Sequence, residues 1–190
     1  MNPDFESDIK AAVRVLEAGG VVLYPTDTIW GLGCDATNEA AVEKVFALKH
    51  RPKEKSCIIL LADARDILQH VAAPPPDVFD LLESFTTPTT IIYDGAIGFA
   101  ENAIAADGSA AIRVTQDAFC KALIKRFRKP VISTSANISG AASPAFFKEI
   151  STEIVRGANY VVQYRQNDET PRQASRLARL TEDGGLIYLR

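Results

Sequence analysis

Cysteine, histidine, methionine and tryptophan are scarce in this 190-residue chain, with three, two, one and one copies. Each scarcity closes off a class of function. Cys34, Cys57 and Cys120 are odd in number and widely spaced, so neither a disulfide framework nor a Cys-x-x-Cys metal spacing is present. Reduced thiols in a cytosol are the simplest account, with Cys34 and Cys57 as small core residues. His50 and His70 stand near no serine motif and read as surface residues, which leaves no histidine-based triad. No apolar run approaches the roughly 18 to 20 residues that span a bilayer. The N-terminal Met-Asn-Pro-Asp-Phe-Glu is acidic where a signal peptide is basic and apolar, so a cytoplasmic protein without membrane contact is expected. There is no Gly-x-x-x-x-Gly-Lys-Ser/Thr phosphate loop and no Gly-x-Ser-x-Gly elbow, and Gly31 and Gly33 lack the third glycine of a dinucleotide fingerprint. Positive charge is not in excess. A net charge of −3 argues against a protein whose main task is gripping nucleic acid by its phosphates, while leaving room for a local basic patch.

What is present is a composition of 47% hydrophobic and 24% charged residues, ordinary for a globular protein with a sizeable core. The length suits one compact domain over residues 1–190. Ile9, Ala12, Val13 and Leu16 form one helical stripe that Ser7 or Asp8 can cap and Gly19-Gly20 stops. Residues 21–24 read as a buried strand. A second helix, capped by Thr37 or Asn38, points Val42, Val45, Phe46 and Leu48 inward and ends near Lys49, because Pro52 disfavours helical geometry at Arg51. Strands follow at 57–61, 89–93, 110–114, 131–134 and 160–164. Helices are predicted around 67–71, 78–85, 116–127 and 144–155, and a closing hairpin turns at Asp183-Gly184-Gly185. The alternation predicts an α/β fold (α+β in some schemes): a single-domain, three-layer sandwich around a twisted, mixed sheet. The polar stretch 165–172 is either a lid or a mobile loop.

Chemistry concentrates in four places. In Tyr24-Pro25-Thr26-Asp27-Thr28-Ile29-Trp30-Gly31-Leu32-Gly33 an apolar strand breaks into short polar side chains and glycines, either the finish of a turn or the wall of a site. The cluster Lys49-His50-Arg51-Pro52-Lys53-Glu54-Lys55 is dense in positive charge, either a solvated helix end or a phosphate-binding surface. There Arg51 offers a planar fork and Lys55 a point charge. Arg113 sits in an otherwise apolar strand, where an unpaired guanidinium is costly to bury, so it needs a carboxylate from the protein or from a ligand. Ser133, Thr134, Ser135, Asn137 and Ser139 follow a strand directly and can bond an anionic ligand or close a turn. The cations at the end of the 116–127 helix read as a solvated face.

Taken in order, Tyr-Pro-Thr-Asp-Thr-Ile-Trp-Gly-Leu-Gly, Lys-His-Arg-Pro, Ala-Ile-Arg-Val and Ser-Thr-Ser-Ala-Asn-Ile-Ser-Gly resemble the YrdC-like family of L-threonylcarbamoyladenylate synthases, from about Val21 to the C-terminus. The resemblance implies formation of threonylcarbamoyl-AMP and pyrophosphate from ATP, bicarbonate and L-threonine. A separate transferase complex would then use the product to modify adenosine in tRNA. It assigns threonine contacts to Thr28, Leu60, Arg113 and Ser133. It assigns ATP contacts to Lys49, Arg51, Lys55, Ser109, Ser135, Asn137, Ser143 and Arg190, a late-loop contact to Ser175, and the catalytic charge to Arg51 and Lys55. Mg²⁺ is implied with ATP, held by phosphate and water and not by a protein cage. Trp30 stands where the family usually has tyrosine. Thr87-Pro88-Thr89-Thr90, Ser56 and Ala174-Ser175-Arg176 also depart from its pattern, and the chain reads as a short, single-domain member. The rival class is a non-catalytic RNA- or nucleotide-binding module of the same fold, with weak RNA binding on the basic surface.

Overall fold

The computed structural model describes residues 5–51, 57–181 and 185–189. Among them nine strands form one mixed sheet: β1 (Val22–Tyr24), β2 (Gly31–Gly33), β3 (Ile58–Leu61), β4 (Thr89–Tyr93), β5 (Ala110–Val114), β6 (Val131–Ser135), β7 (Tyr160–Val161), β8 (Arg176–Leu180) and β9 (Leu186–Tyr188). Their spatial order is β7-β1-β2-β6-β3-β5-β4-β8-β9. The pairs β1–β7, β3–β5 and β4–β8 are parallel and the other neighbours antiparallel. Side-chain alternation then divides the core. Val22, Tyr24 and Leu60 pack with α1 (Glu6–Glu17) and α5 (Ala118–Phe127) on one face. Leu23, Ile59 and Leu61 pack on the other with α2 (Glu39–Lys49), α3 (Ile67–His70), α4 (Val78–Glu83) and α6 (Thr152–Gly157). The three layers of the expected sandwich are therefore present. No described helix is long and apolar enough to cross a membrane.

Local chemistry explains the helix limits. Asn38 caps α2 by accepting from the Ala41 amide, and His50 ends it in the left-handed region at φ 49°. Asp117 caps α5 through the Cys120 amide at 2.9 Å, and Arg128 closes it at φ 61°.

Four expectations need correction. Neither Ser7 nor Asp8 caps α1, which starts after Phe5 without a side-chain cap. Asp8 instead accepts from the Tyr160 hydroxyl at 2.6 Å and from the Gln163 and Tyr164 amides at 3.0 and 2.9 Å. That capture of two amides also shortens the strand expected at 160–164 to Tyr160–Val161. The helix expected at 144–155 is a single 3₁₀ turn (Phe147–Glu149) and then α6, because Phe147 turns in to pack on Trp30 with ring centroids 4.8 Å apart and Ser151 starts a fresh helix. Gly31–Gly33, expected to lie past the break of the 21–24 strand in a turn or site wall, is the short strand β2. Gly33 is obligatory there: a Cβ would lie 2.4 Å from the Ile132 carbonyl oxygen and 2.6 Å from the Tyr24 ring.

The stretch 165–172 is pinned at several points. Arg165 pairs with Asp117 at 2.7 Å, Arg172 with Asp168 at 2.8 Å, and Lys148 with Glu169 at 2.6 Å. This connection carries the chain from the β7 edge to β8, next to the opposite edge of the sheet. The hairpin turn expected at 183–185 lies largely outside the described residues, but the strands it joins, β8 and β9, pair antiparallel as expected.

Candidate active site

A cleft of about 290 Å³ opens on the sheet face that carries α1 and α5. Register places it there: Ile58 shares the face of Leu60, and Ile58 lies opposite both Ala111 and Ser133. The floor is apolar, made of Ile58, Ala111, Ile92 and Leu177 on the adjoining strands β3, β5, β4 and β8. The polar wall comes from strand ends and loops. Thr28 leaves the β1–β2 connection, Arg51 follows α2, Arg113 rises from β5, Ser133 lies within β6 and Ser135 ends it, and Ser143 and Ser175 come from later loops. Strand ends suit this purpose, because short polar side chains there can face a ligand while the stems stay buried.

Arg113 is 3% exposed and answers the question its sequence posed. Its protein partner is Asp27, with Nη2 3.2 Å from Oδ1. The same Nη2 donates to the Thr28 hydroxyl at 3.3 Å, while Nε finds no acceptor among the described residues. Thr28 is itself fixed: its amide donates to the Thr26 hydroxyl at 2.9 Å, and the two hydroxyls are 2.9 Å apart. Arg51 donates to the Thr134 hydroxyl at 3.4 Å. Ser175 shares a hydrogen bond with Thr90 at 2.8 Å.

Thr28, Arg51, Arg113, Ser133, Ser135, Ser143 and Ser175 thus share one cleft. Four other expected contacts lie off its wall. Lys49 is buried to 1% exposure beneath the β6 loop and donates to the Ser135 and Asn137 carbonyls. Leu60 belongs to the core against α1 and α5, on the strand beside Arg113. Ser109 closes the turn before β5, its amide donating to Asp107 at 2.9 Å and its carbonyl accepting from Ala105 at 2.8 Å. Asn137 holds its own loop, Nδ2 donating to the Ile138 and Ala141 carbonyls at 3.1 and 2.7 Å. Lys55 and Arg190 lie outside the described residues. Asp27 went unnoticed among the sequence candidates, although a carboxylate flanked by two threonines was its signal. Ala111 gave no signal at all, since a small residue in a strand says nothing about the space above it.

Burial and the nearby Arg51 charge lower the Lys49 ammonium to about 8. Burial raises the Cys57 thiol, which therefore stays neutral near pH 7.

Fold and site together define an α/β protein with a hydroxyl- and arginine-walled small-molecule cleft on an open stretch of its sheet. The chain belongs to the Sua5/YciO/YrdC family, whose model, described as "Telomere recombination", matches residues 14–190. It is 34% identical over 160 residues to a protein of Pseudoalteromonas translucida named threonylcarbamoyl-AMP synthase, covering 83% of this chain and 86% of that one. A P. abyssi Sua5 variant superposes on 97% of this chain with a TM-score of 0.86 at 25% identity. P. abyssi Sua5 complexed with L-threonine gives 0.85 at 24%, a likeness of fold alone. This chain spans 56% and 54% of those two Sua5 chains.

Proposed function

We propose that this chain is a threonylcarbamoyl-AMP synthase, forming threonylcarbamoyl-AMP and pyrophosphate from L-threonine, bicarbonate and ATP for the modification of tRNA. The observation that carries the reading is the joining of Arg113 and Thr28 to Arg51 and Ser135 across one cleft, in a chain similar over most of its length to a protein of that name.

The chemistry asks for no protein nucleophile. The threonine amine attacks bicarbonate, forming a nitrogen–carbon bond and releasing water, to give N-carboxy-threonine. A carboxylate oxygen of that carbamate attacks the α-phosphorus of ATP, and the bond to the bridging oxygen of pyrophosphate breaks. Anions must be brought together and one must leave, so the protein acts by positioning and by neutralising charge. Arg113 orients threonine by its carboxylate, and the hydroxyl residues Thr28 and Ser133 line the same cleft. Arg51 meets the phosphates at the other side, with Ser135 and Ser143 near it. The apolar floor of Ile58, Ala111, Ile92 and Leu177 suits the face of the adenine ring.

Mg²⁺ would enter bound to the triphosphate, through phosphate oxygens and water, and would supply charge neutralisation there. The described residues hold no group of three or more His, Cys, Asp or Glu side chains able to cage a metal. The product is a mixed anhydride that passes to a separate tRNA transferase complex. Incubation with ATP, bicarbonate and L-threonine tests the proposal: pyrophosphate should appear only when threonine is present, and threonine-independent release would point to simple hydrolysis of ATP to AMP and pyrophosphate.

A further inference from the structure

Lys49 holds a position that neither the cleft nor the core explains. It is the last residue of α2, a charged side chain at 1% exposure, and both its ends engage one loop. Nζ donates to the carbonyls of Ser135 and Asn137, the latter at 2.6 Å. The main-chain carbonyl of the same residue accepts from the Ser139 amide at 2.8 Å. An ammonium has three donors, and two of them are directed at backbone oxygens. Burying a charge is costly unless it is hydrogen-bonded, so an ammonium kept at this depth has to be matched by fixed acceptors. Here all the acceptors belong to the loop that carries Ser135 to the cleft.

We propose that Lys49 is a positioning residue that clamps the 135–139 loop onto the end of α2, so that Ser135 faces the cleft at a fixed height, and that it makes no contact with the bound nucleotide. The loop's own bonds are short-range: Asn137 reaches the Ile138 and Ala141 carbonyls. Lys49 ties that turn to a rigid element, and Arg51, two residues on, enters the cleft from the same helix end. The serine and arginine walls of the cleft are thereby set relative to each other by one side chain. The part of the inference that concerns nucleotide rests on the synthase reading; the clamp itself does not.

The test uses the full chain and its Lys49→Met variant, which keeps the length of the side chain and loses its charge. Without any ligand, amide hydrogen exchange at residues 136–139 is expected to quicken by about tenfold or more, while amides of α1 and α5 stay as in the wild type. Unchanged protection at 136–139 overturns the clamp whether or not the protein makes threonylcarbamoyl-AMP, so the two readings fail separately. The second arm is a double-mutant cycle on ATP affinity, measured by calorimetry. Lys49→Met is expected to weaken ATP about tenfold in the wild-type background but less than about twofold when Ser135 is already alanine. Fully additive losses would identify a direct ligand contact and overturn the proposal. Should Lys49→Met fail to fold, Ser139→Pro removes the loop's N–H while leaving Lys49 in place. It is expected to weaken ATP in the same direction, and wild-type affinity in that variant counts against the clamp.

Discussion

Arg113 and Asp27 meet at 3.2 Å, so the guanidinium on β5 is held by the motif that opens the cleft. Asp27 is braced in turn: its Oδ2 accepts from the Thr115 hydroxyl at 3.2 Å and from the Gln116 amide at 3.3 Å. One carboxylate therefore joins the β1–β2 connection to the end of β5. It balances the buried charge of Arg113 at Nη2, and Nε is buried without an acceptor among the described residues. An arginine already fixed in place loses little freedom when a carboxylate docks, which favours a small substrate with few other contacts.

Removing Asp27 should be costly twice over. In Asp27→Ala the guanidinium stays buried without its partner, a loss of about 3 kcal/mol for a broken buried pair. Urea unfolding should show it, together with a raised KM for threonine. A variant of wild-type stability would mean that Arg113 is neutralised elsewhere.

The two arginines should separate by substrate. Arg113→Ala is expected to raise the KM for threonine at least tenfold, roughly the loss of one charge-assisted hydrogen bond, with the KM for ATP little changed. Arg51→Ala should lower kcat and weaken ATP while the fold survives, since Arg51 lies past the end of α2. Steady-state kinetics with each substrate varied in turn distinguishes the two patterns.

Gly31 and Gly33 should respond differently to the same change. Gly33→Ala forces a Cβ against the Ile132 carbonyl and the Tyr24 ring. Overpacking of that kind costs about 1–3 kcal/mol, visible as a lowered Tm. In Gly31→Ala the new Cβ lies 3.2 Å from the Ser133 hydroxyl at the cleft. Threonine use should suffer there while stability moves by less than about 1 kcal/mol.

Lys49 gives a pH signature whose sign can be worked out. Folding lowers its ammonium from 10.5 to about 8, burial being the larger cause and Arg51 the second. Between those values the unfolded chain binds the extra proton, so stability from this group rises with pH across the window from about 8 to 10.5. Below pH 8 both states are charged and the burial cost is felt in full. The wild type should therefore gain stability relative to Lys49→Met as the pH rises from 8 to 10, as followed by urea midpoints. A constant difference would place the titration elsewhere.

Much of this was legible in the sequence, for physical reasons that also mark where legibility stopped. Apolar periodicity located α1, α2, α5 and the buried strands, because each must bury one stripe or face. The four motifs located the cleft, because hydroxyls and cations just past strand ends have few structural uses. What escaped depended on long-range partners. Gly31–Gly33 reads as a turn or site wall because its strand character comes from β1 and β6 on either side. Asp8 looked like a helix cap until Tyr160, Gln163 and Tyr164 arrived from the far end of the chain. Lys49 reads as a solvated helix end or an ATP contact, because nothing local reveals the carbonyls of Ser135 and Asn137 above it. Leu60 and Arg113 are neighbours in register, yet one is core and the other cleft, a division set by where α1 and α5 stop covering the sheet.

The most direct test of the central claim supplies isotopically labelled bicarbonate with ATP and L-threonine and follows the products by mass spectrometry. The account predicts label in the carbamoyl carbon of threonylcarbamoyl-AMP, with pyrophosphate formed in equal amount, and loss of both in Arg51→Ala. Binding of ATP and threonine with no labelled product from the folded wild-type protein would contradict it.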